Sequence, residues 1–276
     1  MIFGRKEKFE IKTFEQFLKM RKAGLVVADT LSRIAKEAGP GVTTADLDRI
    51  AREELHRFGA TPSFLGYHGY PAVICSSVND EVVHAIPNER PLKDGDILSV
   101  DFGAIVDGWH GDSAITIEIG AKVPAQTKLS EVTCSAMWAG LAKAQADNYL
   151  TDISHAVETT IRAAGNYGIL EEYTGHGIGT KMHMEPSVPN YGMPGQGPQL
   201  QVGMALAIEP MVTLGDRYVH TLGDNWTVVT DDGSRASHWE HTVAITEEGP
   251  WVLTAHDGGA QYFAANGISS PAERLS

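Results

Sequence analysis

Four acidic residues interrupt stretches of sequence that otherwise have the pattern of buried β-strands. They are Asp101, Asp112, Glu209 and Glu240. An unpaired carboxylate in apolar surroundings is costly, so each of them needs a cation or strong hydrogen-bond donors. No Lys or Arg lies within three residues of any of the four, although a basic residue from a distant part of the chain would also serve. A bound divalent metal ion is the simplest partner that the sequence predicts.

A hairpin is expected to bring Asp101 and Asp112 together. The pair Asp107-Gly108 between them is a strong signal for a tight turn between antiparallel strands. Such a turn places the two acids directly or diagonally across paired strands, roughly 5–8 Å apart at Cβ, which allows them to share an ion. For Asp112 alone, a solvated place at the end of a strand is an equally good interpretation. For all four acids together, a solvated place is a much poorer interpretation than a shared buried site.

Three histidines are candidates to add nitrogen donors to these acids. His176 lies within the glycine-rich run 175–179, His183 follows seven residues later, and His84 precedes Ile86-Pro87. Each one alone is also consistent with a packed or surface residue. The glycine-rich run has no Lys-Ser/Thr pair after it, which argues against a nucleotide-binding loop. The chain also lacks the His-Glu-x-x-His, Cys-x-x-Cys and Gly-x-Ser-x-Gly patterns of other hydrolase and zinc sites.

Four carboxylates and at least one imidazole form an oxygen-rich donor set with some nitrogen. That chemistry suits two hard or borderline divalent ions, namely Co, Mn, Fe or Zn, better than a single structural zinc. Two such ions can share one water molecule, lower its pKa and polarise a substrate carbonyl. Residue chemistry alone therefore predicts a dinuclear metallohydrolase and leaves its substrate open.

Amphipathic helices and short strands are expected to position these residues. Hydrophobic periodicity predicts helices over 13–38, 44–59, 128–148 and 152–165. Strands are predicted over 72–75, 96–101, 204–212, 226–230 and 241–245. The chain also matches itself at an offset of 108 residues, since His68-Gly69 matches His176-Gly177 and LKDGDILSVD matches LQVGMALAIE. We therefore expect one compact α+β domain with two similar halves.

Composition excludes several classes of protein. The 276 residues carry 35 acidic against 22 basic side chains, a formal charge of −13, which disfavours direct nucleic acid binding. No apolar run approaches the roughly 18 residues that a membrane-spanning helix needs. Two cysteines cannot form a disulfide framework, so we expect a cytoplasmic protein without membrane association.

The chain resembles type I methionine aminopeptidases, which have the pita-bread fold, over residues 12–254. The order and spacing of seven segments carry this resemblance, namely 66–71, 79–87, 101–103, 111–112, 175–179, 208–211 and 239–242. The resemblance implies a curved antiparallel sheet covered by helices, with two pseudo-symmetric halves. It also leaves 1–11 as an N-terminal extension and 255–276 as a C-terminal tail that we expect to be loose.

The resemblance implies five metal ligands, which are Asp101, Asp112, His176, Glu209 and Glu240. Asp112 and Glu240 would bridge two ions, Asp101 would complete one site, and His176 with Glu209 the other. Either Thr242 or His110 is expected to orient a ligand.

The resemblance also implies catalytic roles and a substrate. His84 would contact the amide nitrogen of the scissile bond, and His183 would stabilise charge on the carbonyl oxygen. Glu209 would carry a proton toward the leaving amine in addition to its role as a ligand. The substrate would be a nascent polypeptide that begins with the initiator methionine and has a small second residue. We further expect a monomer that works near the ribosome.

A methionine side-chain pocket is implied as well, lined by Phe64, Tyr67, Tyr70, Cys75, Met182 and Trp226. A thioether against aromatic edges is a favourable contact. This chain departs from the family pattern at Ala85, where glycine is common, and at Met182 and Met184, which flank His183. These departures leave the ligand set intact and affect the expected shape of the pocket.

Two alternatives stay open at this level. One is a proline-specific peptidase of the same fold, although such relatives usually carry an additional N-terminal domain. The other is a pita-bread protein that binds without catalysis, although relatives of that kind have lost ligands that this chain retains.

Overall fold

Six α-helices and fifteen β-strands lie within residues 9–275, which are the residues that the structure, a computed structural model, describes. The helices are α1 (Phe14–Glu37), α2 (Thr44–Phe58), α3 (Pro124–Leu141), α4 (Leu150–Ala164), α5 (Ala260–Ala265) and α6 (Ala272–Leu275). A short 3-10 turn covers Tyr67–Gly69. Of the N-terminal extension predicted over 1–11, residues 1–8 lie outside the described part.

The strands are short except for one long hairpin. They are β1 (Thr61–Pro62), β2 (Ile74–Val78), β3 (Glu81–Val83), β4 (Ile97–Val106), β5 (Trp109–Glu118), β6 (Gly168–Ile169), β7 (Gly175–Gly177), β8 (Met184–Val188), β9 (Ala205–Ile208), β10 (Met211–Thr213), β11 (Val219–Thr221), β12 (Val228–Thr230), β13 (Ala236–His238), β14 (Glu240–Thr246) and β15 (Gly249–Val252).

Most of these strands form one antiparallel sheet of nine strands. Its order is β1-β4-β5-β14-β9-β7-β8, with β15 paired to β14 and β2 paired to β4. Two sheets of three strands, β13-β10-β6 and β11-β12-β3, lie beside it. The main sheet thus joins strands from the first and second halves of the chain, and β5 and β14 meet at its centre.

Helices α1 and α2 have ends that follow from local capping interactions. Thr13 caps α1 in a reciprocal pair with Gln16, and Thr43 caps α2 in the same way with Asp46. Gly59 ends α2 in the left-handed conformation, with φ of 62°. Helix α3 ends at Leu141, before the predicted 148, because the chain turns there and Asp147 adopts a left-handed φ of 71°.

Each half of the molecule has its own apolar core. Residues of α1 and α2 pack with β2 and β4 in one cluster, and residues of α3 and α4 pack with β9 and β14 in another. The internal match at an offset of 108 residues is visible here, since β4 begins at Ile97 and β9 begins at Ala205. Gly95 and Gly203, with φ of 84° and 97°, make the same turn before each strand.

One part of that internal match does not extend to secondary structure. His68 lies in the 3-10 turn with a φ of 48°, whereas His176 lies in the strand β7. The two His-Gly pairs therefore occupy different kinds of backbone. The pseudo-symmetric α+β pita-bread fold is nevertheless the observed architecture.

The C-terminal segment packs against the domain, so the expectation of a loose tail is wrong. Phe263 of α5 is fully buried, and Ser270 donates a hydrogen bond of 2.6 Å to the carbonyl of Pro250. Arg21 of α1 donates to the carbonyls of Ala255 and His256 at 2.5 and 2.8 Å. The glycines and the single proline of this segment favour turns, and these contacts hold the turns in place.

The approach of α1 to β15 provides a prediction about stability. A Cβ on Gly24 would lie 2.1 Å from the carbonyl oxygen of Leu253, which is backbone and cannot rotate away. We expect Gly24→Ala to destabilise the protein by about 1–3 kcal/mol, since the helix must shift. Thermal unfolding followed by circular dichroism would measure the effect. Gly39→Ala is the control, because nothing lies within 4 Å of a Cβ there; equal melting temperatures for the two variants would contradict the prediction.

Among the helices of the described residues, we find none whose length and apolar character would suit a membrane span.

Candidate metal centre

The long hairpin of β4 and β5 brings Asp101 and Asp112 to one face of the sheet. Asp107 and Gly108 form its turn, both with positive φ, 51° and 79°. In the register of the hairpin Asp101 is opposite Ala114, and Gly103 is opposite Asp112. The two acids are therefore diagonal neighbours across the strands, which is one of the two arrangements that the sequence predicts.

The neighbouring strands bring the other donors to the same place. Glu240 of β14 is paired with Ala114 of β5, and His176 of β7 is paired with Ala207 of β9. Glu209 follows directly after β9. The strand predicted over 204–212 is broken at this point, because Pro210 has no N–H to donate and the chain passes from the main sheet into a smaller one.

The side chains of these residues form a compact cluster. One ligand atom each of Asp112, His176 and Glu240 lies within 4.8 Å of the others. His176 Nε2 is 3.7 Å from Asp112 Oδ2 and 3.5 Å from Glu209 Oε1. Asp101 lines the same cavity as these three residues and Glu209. All five predicted ligands therefore line one cavity.

The electrostatics of the cluster call for a cation. Burial raises the pKa of Asp101 to about 7. Burial and the neighbouring carboxylates raise the pKa values of Asp112, Glu209 and Glu240 well above their usual range. Within residues 9–275, no Lys or Arg forms an ion pair with these four acids, and the basic side chains nearest to Asp112 and Glu209 are His176 and His238.

The unsatisfied oxygens show that the donor set fits divalent metal ions. Asp101 Oδ1, Asp112 Oδ1 and Glu240 Oε1 are buried and have no hydrogen-bond partner in the described part of the chain. Buried polar atoms are normally paired, so a group of three such oxygens facing one cavity needs an explanation. Carboxylate oxygens with one imidazole nitrogen are the ligands that Mn, Fe, Co and Zn accept.

His176 is oriented to present a lone pair to the cluster. Its Nδ1 is 3.0 Å from the carbonyl oxygen of Gly177, so Nδ1 carries the proton and Nε2 faces Asp112 and Glu209. Burial is the main cause that lowers the pKa of His176 to about 3. The imidazole is therefore neutral near pH 7 and available to a metal.

Metal removal provides a test of this fit that does not depend on activity. At a metal concentration a hundredfold above the dissociation constant, one site adds about 2.7 kcal/mol of stability. We expect the melting temperature to rise by about 5–10 °C when Mn is added to chelated protein. Differential scanning calorimetry would measure it. A melting temperature independent of metal would contradict the fit, and Mg at the same concentration is the control for ionic strength.

His183 and His84 line the cavity that contains the acid cluster. The ring centre of His183 is 4.3 Å from that of His176, and its Nδ1 is 2.8 Å from the hydroxyl of Tyr67. His84 follows β3 with a left-handed φ of 61° and packs edge-on against Tyr173. Burial lowers the pKa of His84 to about 4, so it is neutral near pH 7. Both imidazoles line the same cavity as the acids.

The predicted pocket residues surround the apolar end of this cavity of about 310 Å³. They are Phe64, Tyr67, Tyr70, Cys75, Met182 and Trp226. The Tyr70 hydroxyl donates to the carbonyl of Ile74, and its ring packs edge-on against Trp226 with centres 5.0 Å apart. Burial raises the pKa of Cys75 well above its usual range, so it is an uncharged thiol that contributes shape rather than a nucleophile.

Thr242 and His110, the two residues expected to orient a ligand, make different hydrogen bonds. Thr242 Oγ1 donates to the carbonyl of Asp112 at 2.8 Å and accepts from its N–H at 3.2 Å, so it fixes the backbone of that acid. His110 instead pairs with Ser63, with 2.9 Å between Nδ1 and Oγ. Sequence reasoning missed His238, which is buried beside Glu209. The sequence could have indicated His238, because it precedes Glu240 by two residues and alternate residues of an extended chain share a face.

The family model described as metallopeptidase family M24 matches residues 18–247. The chain is 54% identical over 241 residues to methionine aminopeptidase 1 of Mycobacterium tuberculosis, covering 85% of this chain and 91% of that relative.

Solved structures of a methionine aminopeptidase and of a prolidase are similar to this chain. The structure superposes on methionine aminopeptidase from Rickettsia prowazekii with a TM-score of 0.88 and 37% identity, covering 90% of this chain and 100% of that one. It is also similar to prolidase from Pyrococcus furiosus, with a TM-score of 0.72 at 21% identity, covering 89% of this chain and 65% of that one. The second likeness concerns the fold alone.

Proposed function

This chain belongs to metallopeptidase family M24, and from that premise we propose that it removes the initiator methionine from nascent polypeptides as a metal-dependent methionyl aminopeptidase. The observation that carries the proposal is a group of acids that have no Lys or Arg partner among residues 9–275 and that share one cavity with an apolar pocket. Relatives named methionine aminopeptidase, 54% and 49% identical over most of the chain, support the same activity.

We assign the binding of two divalent ions to five side chains. Asp112 and Glu240 would be ligands of both ions, Asp101 would complete one site, and His176 with Glu209 would complete the other. The close approach of Asp112, His176 and Glu240 supports this assignment. The ions are Co, Mn, Fe or Zn, since the donors are carboxylates and one imidazole.

Bound divalent ions supply an activated water molecule near pH 7 and polarise the carbonyl of the scissile bond. The residues of the chain perform the remaining steps. Glu209 would accept a proton from the attacking water at a carboxylate oxygen and transfer it to the leaving amine as the C–N bond breaks. His183, oriented by the Tyr67 hydroxyl, donates from Nε2 to the carbonyl oxygen where negative charge develops. His84 contacts the amide nitrogen of the same bond.

The pocket selects the side chain of the first residue. Aromatic edges of Tyr70 and Trp226 and the sulfur of Met182 suit a methionine thioether, because sulfur and aromatic rings make favourable contacts. The second residue of the substrate would lie close to the acids, where His84 and His183 leave little space. We therefore propose a preference for Gly, Ala or Ser at that position.

The setting of the activity follows from its substrate. We propose that the catalytic domain extends over 12–254, that the protein acts as a cytoplasmic monomer, and that it meets nascent chains close to the ribosome. The family match over 18–247 supports the extent of the domain.

A peptide panel tests the proposed function. We expect chelated protein to be inactive, and protein reloaded with Mn or Co to cleave Met-Ala and Met-Gly peptides. Cleavage of Xaa-Pro peptides with Met-Ala untouched would instead indicate the proline-specific alternative. Absence of saturable Mn binding by isothermal titration calorimetry would indicate the non-catalytic alternative, and either result would overturn the proposal.

A further inference from the structure

His238 is a buried imidazole that the roles assigned above leave unused. Its exposed fraction is 1%, and its Nε2 atom is buried without a hydrogen-bond partner among the described residues. Oε2 of Glu209 lies 3.8 Å from that nitrogen. This separation is longer than a hydrogen bond, and a small rotation of the carboxylate would close it.

The carboxylate of Glu209 lies between two imidazoles. Its Oε1 is 3.5 Å from His176 Nε2, and its Oε2 is 3.8 Å from His238 Nε2. Asn190 donates to the backbone carbonyl of Glu209 at 3.2 Å, which holds the main chain and leaves the carboxylate free to rotate. Within residues 9–275, neither carboxylate oxygen of Glu209 accepts a hydrogen bond.

The backbone of His238 is held firmly. Its N–H lies 3.1 Å from both Ser99 Oγ and Thr116 Oγ1, and its carbonyl accepts from Thr116 Oγ1 at 2.8 Å. In the pairing of β13 with β10, His238 is opposite Met211, two residues after Glu209. A ring on such a fixed backbone can direct a flexible glutamate, whereas the glutamate cannot direct the ring.

The geometry points to His238 as a positioning residue that donates from Nε2 to Oε2 of Glu209 and so sets the orientation of this carboxylate. An oriented carboxylate directs Oε1 toward the cavity, on the side of His176. Carboxylate ligands that are held by a second hydrogen bond bind metal more tightly, because less freedom is lost on binding. The same contact satisfies the buried nitrogen, which has no other partner in the part of the chain that the structure describes.

This inference rests on the proposed function, because it needs Glu209 to be a metal ligand. The expected consequence is weaker metal binding at the site that His176 and Glu209 would share. The other site should be affected less, since the proposed assignment gives it Asp101 and not Glu209. Loss of the donor should weaken metal binding about 10–100-fold, which is the usual effect of removing a partner of a ligand. Replacement of His238 by Leu removes the donor and should affect folding less than metal binding, because the Leu side chain fills a similar volume.

The test compares His238→Leu, which removes the donor, with His238→Gln, which retains an N–H. Chelated protein of each variant and of the wild type is titrated with MnCl₂ by isothermal titration calorimetry, and melting temperatures are recorded beside it. We expect H238L to bind Mn about 10–100-fold more weakly, and H238Q to remain within about threefold of the wild type. His155→Leu is the control, because it makes the same change at a half-buried histidine of α4 that contacts the Gly192 carbonyl and lines a different cavity.

Three results would overturn the inference. They are equal Mn affinity of H238L and the wild type, equal weakening in H238Q and H238L, and equal weakening in H155L. If H238L does not fold, H238Q is compared with His238→Asn, whose amide is one methylene too short; equal affinity of these two would also overturn it. No Mn binding in the wild type would refute the proposed function instead, so the two failures are distinguishable.

Discussion

His176→Ala is expected to abolish turnover of Met-Ala peptides, with a loss of at least about a thousandfold at stoichiometric metal. The variant loses the nitrogen donor whose Nε2 lies between Asp112 and Glu209. The remaining acids then retain metal poorly. Several kcal/mol of transition-state stabilisation depend on metal at such a site, and each 1.36 kcal/mol is tenfold in rate.

Steady-state kinetics at one metal equivalent would measure this loss, and isothermal titration would report the accompanying loss of affinity. His56→Ala is the matched control, because His56 is an exposed histidine on α2 away from the cavity. Rates like those of the wild type in H176A at limiting metal would refute the assignment of His176.

His183→Ala is expected to reduce kcat about 100- to 1,000-fold while metal affinity stays unchanged. His183 is oriented by Tyr67 and lies beside His176, so its free nitrogen faces the cavity. Removal of one donor to a developing oxyanion typically costs about that much. The side chain is not among the proposed ligands, so the metal should remain.

The two histidine variants are thus distinguished by two readouts. H176A should lose both metal affinity and turnover, and H183A should lose turnover alone. His220→Ala is the control for H183A, since His220 pairs with Asp231 on the surface. A weakened Mn affinity in H183A would contradict the role of His183, and so would a change in KM without a change in kcat.

The hairpin of β4 and β5 was predictable because its cause is local. Asp107-Gly108 supplies the two positive φ values of the turn, and the turn fixes the register. Once the register is fixed, Asp101 and Asp112 must share a face. The caps at Thr13 and Thr43 were predictable for the same reason, since each is decided within four residues of sequence.

The convergence of Glu209 and Glu240 was not predictable from local sequence. These acids meet Asp112 only because β14 pairs with both β5 and β9, and pairing of distant strands leaves no local signal. Residue chemistry indicated that the acids needed a cation, and the resemblance to a family supplied their partners. The packing of Phe263 and the place of His238 depend on the same kind of distant contact.

The central claim is that five side chains from both halves of the molecule hold two metal ions in one cavity. Anomalous diffraction from Mn-loaded crystals, collected on both sides of the Mn absorption edge, tests it most directly. We expect two peaks about 3.5–4 Å apart, bounded by Asp101, Asp112, His176, Glu209 and Glu240. No peak among these side chains, or peaks only elsewhere on the protein, would contradict the account.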